Sequence, residues 1–112
     1  MLVYKILRAD EWAAFEAAGL TEGAPVDLAD GYIHLSTAAQ ASETAARHFA
    51  AEDGLWLLAI DVDRLGDDLR WEPSRGGQMF PHLHAPLRAA QVIWAKPLPT
   101  GPGGHVFPME MA

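Results

Sequence analysis

The chain opens with an alternating apolar stretch. Leu2 to Leu7, rich in Val, Tyr and Ile, predicts a first strand. Asp10 to Ala18 predicts a short helix, with acids in its first turn, Trp12 and Phe15 on one face and Gly19 as its stop. Thr21 to Gly31 is polar and turn-rich and predicts a loop. Tyr32-Ile33-His34-Leu35 predicts a four-residue strand, and Thr37 with Gln40 forms a T-x-x-Q capping box opening an alanine-rich helix to about Ala51. That helix is expected to bury Ala38, Ala41, Ala45 and Phe49. Leu55 to Asp61, nearly continuous in apolar residues, predicts a central strand covered on both faces. Leu69-Arg70-Trp71-Glu72 and Val92 to Ala95 predict further strands, with Val106-Phe107 as a short last one. Seven of the eight prolines lie from Pro73 onward, so the last third is expected to be mostly loops and edge strands. Strands outnumbering two principal helices indicate one α+β domain over residues 1–112.

Composition narrows the function. With no cysteine, disulfides, thiolate nucleophiles and cysteine-ligated zinc are excluded. No apolar run approaches the length of a membrane span, and the start lacks the pattern of a secretion signal; a cytoplasmic protein with no membrane partner is expected. The net charge is −7, concentrated in residues 1–63 at −8, while residues 64–112 carry +1. Such a field disfavours long nucleic acid but allows a small anionic ligand held by a local arginine cluster, for which Arg64, Arg70, Arg75 and Arg88 are candidates.

Three stretches concentrate candidate chemistry. In Asp30 to Thr37, strand alternation puts Tyr32, His34 and Ser36 on one face and Ile33 and Leu35 on the other, ending at a helix N-terminus suited to anions. A plainer role for Ser36 or Thr37 is helix capping, with His34 an interior residue. In Arg70 to Gly77, Arg70 and Glu72 share a face opposite Trp71, and Pro73 to Gly77 forms a pliable loop carrying Arg75. In Phe80 to Leu87, His82 and His84 stand two apart; with His34 they would make a three-histidine zinc site, although no Asp or Glu lies between Phe80 and Leu87. The alternative there is a rigid segment packed under a loop. His48 and His105 read as surface histidines. No serine sits in a G-x-S-x-G elbow, and Glu72 alone among the acids stands between apolar neighbours that would raise its pKa.

Taken in order, Asp30 to Thr37, Thr44 to Phe49, Leu69 to Glu72 and Phe80 to Leu87 resemble a family of bacterial proteins known as domain of unknown function 952. That family looks like the ADP-ribosyltransferase superfamily, which includes RNA 2′-phosphotransferases. The resemblance implies a small mixed or antiparallel sheet and a His-x-Ser strand on which His34 bonds a ribose of NAD and Ser36 supports it. Leu35 stands where many members have glycine, and Glu110 is the only acid after Glu72 to match their late glutamate. The phosphotransferases surround their histidine with arginines, which points to Arg70 and Arg75.

The expected catalytic residues are therefore His34, Ser36 and Arg75, and the expected ligand-binding residues Tyr32, Thr37, Arg70, Glu72, His82 and His84. The expected ligand is NAD or another ADP-ribose-containing nucleotide, with no metal. The first function implied is an ADP-ribosyl or 2′-phosphate transferase. The alternatives are a non-catalytic nucleotide or small-anion binding module, favoured by the weak match to the late glutamate, and a zinc hydrolase built on His34, His82 and His84.

Overall fold

Two three-stranded antiparallel sheets organise the chain. A computed structural model describes residues 1–111, the side chains of Arg75 and Glu110 excepted. The first sheet has the order β1–β4–β8, from Leu2–Leu7, Leu55–Asp61 and Val92–Leu98. The second has the order β3–β6–β5, from Ile33–His34, Met79–Leu83 and Leu69–Pro73. Two small ribbons complete the strands, β2 (Leu20–Thr21) with β7 (Leu87–Arg88) and β9 (Thr100–Gly101) with β10 (Gly104–His105). The helices are α1 (Ala9–Ala18), α2 (Pro25–Asp30) and α3 (Ala38–His48). The α+β class read from the pattern is the class observed.

β4 is central because both of its faces have something apolar to meet. Leu58 and Ile60 join Val3, Leu7 and Phe15 of the first sheet and α1, together with Ile33 and Leu83 of the second sheet and Leu35 just past β3. Leu55, Leu57 and Ala59 face the other way, onto Tyr4, Ile6 and the α3 alanines Ala41 and Ala45. The two sheets are stitched where Tyr4 and Ser36 exchange backbone hydrogen bonds of 2.7 and 2.9 Å.

Several expectations need correction. The 21–31 stretch is not a loop throughout: α2 lies inside it, with Pro25 at its first position, Asp27 at the third and Gly31 closing it at φ 85°. A six-residue helix is too short to show apolar periodicity. The 80–87 segment is not packed under a loop; its first half, Phe80 to Leu83, lies in β6, the middle strand of the second sheet. Proline is tolerated there because Pro81 needs only its carbonyl, which accepts from Leu35 N at 3.0 Å, and the missing N–H ends the β3 pairing at that point. Accordingly β3 is two residues rather than four. In α3 the capping box is present, but the helix ends at His48, Ala38 is exposed, and Gln40 is buried instead, donating to Met79 O at 2.8 Å. Val106-Phe107 forms no strand; the chain turns back earlier, through β9 and β10.

Candidate functional site

The site is built around a carboxylate that the sequence pattern did not single out. Asp27 is 1% exposed and receives four hydrogen bonds. Ala24 N donates to Oδ2 at 2.8 Å, closing the first turn of α2. Lys5 Nζ donates to Oδ2 at 2.7 Å, and His34 N reaches Oδ1 at 3.0 Å. His34 Nδ1 lies 2.6 Å from the same Oδ1. Burial would raise the Asp27 carboxyl, but the hydrogen bond from His34 and the charge and hydrogen bond of Lys5 outweigh it and hold it at about 2. The backbone makes room for this hub at Gly23, whose φ is +109°; a Cβ there would lie 2.5 Å from Asp27 Cβ and Oδ2.

An ionised Asp27 fixes the partner ring. Being acceptor-only, it requires a proton on His34 Nδ1 and leaves Nε2 as the outward atom. Nε2 meets Asp30 Oδ2 at 2.9 Å, a half-exposed carboxylate at the end of α2. His34 and Ser36 line a cavity of about 610 Å³, a size suited to a small-molecule ligand. Lys5, Arg8, Thr44 and His82 line it too. Ser36 Oγ pairs with Thr44 Oγ1 of α3 at 2.9 Å.

A second carboxylate–imidazole group lies one strand over. His82 is directly opposite His34 in the β3–β6 register and is 2% exposed. Its Nδ1 sits 2.9 Å from Glu72 Oε1, which also meets His84 Nε2 at 2.7 Å. Hydrogen bonds from His84 and His82 keep the Glu72 carboxyl below its usual range, contrary to the raised value its apolar neighbours suggested. The Tyr32 ring packs on all three imidazoles, with centroids 4.7 Å from His34, 4.2 Å from His82 and 5.1 Å from His84. Burial and the charges of Asp30 and Glu72 push its hydroxyl up.

The structure thus gathers His34, Ser36 and His82 at one cavity. Tyr32 and His84 line a separate hollow of about 290 Å³, and Glu72 braces the histidines from behind without lining either. Thr37 caps α3, its Oγ1 accepting from Gln40 N at 3.3 Å, and does not line the cavity. Among the described side chains, no arginine of the expected cluster lines the cavity. Arg70 is exposed on β5 and outside the cavity wall, Arg64 donates to Ala90 O at 2.9 Å, and Arg88 is exposed on β7. The Arg75 and Glu110 side chains lie outside the described residues. Among the described side chains, the lysine and arginine at the cavity are Lys5 and Arg8, the latter bound to Glu52 at 2.9 and 3.0 Å and laid over the Phe49 ring.

Lys5 escaped notice because a lysine in an alternating strand reads as solvent-facing. Its signal was being flanked on both sides by apolar pairs. His48 is exposed but lines the cavity, and His105 is half-buried, its Nε2 2.9 Å from Glu52 O. A zinc site finds no support: among the described residues no group of three or more His, Asp or Glu side chains could hold a metal ion. Nor, among those residues, is any helix long and apolar enough to cross a membrane.

Comparison with known proteins follows the same outline. The sequence model of the family described as "Protein of unknown function (DUF952)" matches residues 6–95. The crystal structure of protein CC0527 from Caulobacter crescentus is similar at 50% identity and a TM-score of 0.89, over 94% of this chain and 92% of that one. The solution structure of CC0527 agrees at 50% identity and a TM-score of 0.83, over 93% and 90% of the two chains. A search of curated proteins found no match.

Proposed function

The chain belongs to the DUF952 family, and from that footing we propose that its larger cavity binds a small ribose-containing anion of the NAD or ADP-ribose class. The observation that carries this reading is His34, held by a buried, ionised Asp27 and lining a cavity of about 610 Å³ beside Ser36. An imidazole whose Nδ1 proton is committed to a carboxylate offers Nε2 to a hydroxyl, and a ribose presents two adjacent hydroxyls at that range. Ser36 supports the sugar from the next position on the same strand face. Lys5 and Arg8, ion-paired with Asp27 and Glu52, bring positive charge to the wall in place of the exposed Arg70. Asp30 occupies His34 Nε2 until ligand arrives; being half-exposed, it can swing into water at little cost. The resemblance of the His34-Leu35-Ser36 strand to the ADP-ribosyltransferase superfamily points to the same ligand.

Calorimetric titration with ADP-ribose and with NAD tests the reading, with nicotinamide release followed in parallel. Binding of ADP-ribose is expected, weakened at least about tenfold in His34→Ala while the variant melts as a folded protein. Nicotinamide release lost in His34→Ala would add transferase activity; binding without release would make this a binding module. No binding of either ligand, or affinity untouched by His34→Ala, overturns the assignment.

A further inference from the structure

The placement of His82 suggests chemistry beyond ligand or zinc binding. We propose that His34 and His82 are a general acid–base pair acting on a ribose cyclic phosphate, hydrolysing a 2′,3′-cyclic phosphodiester to a phosphomonoester. The proposal rests on the ribose reading above. It starts from a duplication: two imidazoles, each oriented through Nδ1 by its own carboxylate, stand opposite one another on paired strands and line one cavity. Their ring centroids are 5.5 Å apart, and the Tyr32 ring packs on both.

The hydrogen-bond partners assign the roles. His34 donates from Nδ1 to Asp27, and its Nε2 already faces an acceptor, Asp30; with Asp30 displaced by ligand the same position faces the ribose oxygen, which casts His34 as the acid. His82 donates from Nδ1 to Glu72, so its Nε2 carries the lone pair and makes it the base. In the step, His82 Nε2 takes a proton from water as the water oxygen bonds to phosphorus. The ring P–O bond opposite breaks, and His34 Nε2 gives its proton to the departing ribose oxygen. Water and one P–O ester bond are consumed and no further reactant is needed. Lys5 and Arg8 at the same wall offset charge on the non-bridging oxygens. A cyclic phosphodiester carries a single negative charge, which a chain of net charge −7 repels less than a polyanion. Asp27 and Glu72 are positioning residues.

The test incubates the full chain with 2′,3′-cyclic AMP and follows the phosphorus resonance of the cyclic ester into that of the monophosphate. Turnover by the wild-type chain is expected, reduced about 100-fold or more in His34→Ala and in His82→Ala. Since His82 is buried, His82→Gln is measured beside it, with thermal melts of both. Asp27→Asn is expected to lower kcat more than it raises KM and to move the pH–rate profile, which loss of folded protein alone would leave in place. Absence of hydrolysis by wild type while ADP-ribose still binds overturns the acid–base pair and spares the binding reading. Hydrolysis that survives in both folded histidine variants overturns it as well. If neither cyclic AMP nor ADP-ribose interacts, the ribose reading fails and takes this one with it.

Discussion

The two three-stranded sheets differ in what they hide from water. In β1–β4–β8 the middle strand buries Leu55, Leu57, Leu58, Ala59 and Ile60, and its stability is that of apolar surface packed on both faces. In β3–β6–β5 the middle strand buries Phe80 and Leu83 but also His82, and the short strand beside it carries His34 against the buried Asp27. Among the described residues, every buried side-chain nitrogen and oxygen has a hydrogen-bond partner. The middle strand of the first sheet buries no polar side chain, and the buried charge on its neighbour β1, Lys5, points to Asp27 and the second region. The second accepts charges on condition that each is matched, which makes it less forgiving of losing one partner and more useful chemically.

That contrast can be broken at four points, in falling order of expected effect. Lys5→Met leaves Asp27 buried without its cation and is expected to destabilise by about 4 kcal/mol in urea unfolding. A near-neutral result would mean that the second region behaves like an apolar core. Leu58→Ala, in the first sheet, should lower stability by about 3 kcal/mol through the cavity it leaves. Yet ADP-ribose affinity measured well below its melting temperature should stay within about twofold of wild type, and a larger loss would show the sheets to be coupled.

Acid titration probes the second region through Asp27. Asp27 has a folded value of about 2 against 3.8 for the ordinary group. Its contribution is thus fully present above about pH 4 and is lost as pH falls toward 2, an effect of about 2 kcal/mol. Urea midpoints measured from pH 5 down to 2 should fall more steeply for wild type than for Asp27→Asn; parallel curves would remove Asp27 from its central place. Last, Thr37→Ala should cost about 1 kcal/mol as a lost helix cap and leave ligand affinity unchanged. A tenfold loss of affinity would restore Thr37 to the binding site.

The same division explains what was legible in the sequence. β1, β4 and the start of α3 announce themselves through local pattern: alternation in Leu2 to Leu7, an unbroken apolar run at Leu55 to Ile60, and the Thr37–Gln40 box. The face shared by Tyr32 and His34 followed from strand periodicity. What escaped depends on contacts between distant segments. Asp27 looks like any acid in a turn until Lys5, 22 residues earlier, and His34 close on it. Arg64, Arg70 and Arg88 are near in sequence, but none of them lines the cavity, whereas Arg8 reaches it from the end of β1. Pro81 stands in the proline-rich last third expected to form loops and edge strands, and sequence does not say which neighbour its nitrogen faces.

Gly23 sets a boundary on how this molecule can diverge. Any side chain at that position would press into the Asp27 carboxylate that organises α2, Lys5 and His34 together. Positions 23 and 27 therefore cannot drift independently. Across related chains, a residue larger than glycine at the first should appear only where the second has abandoned aspartate, and with it the means of aiming the histidine.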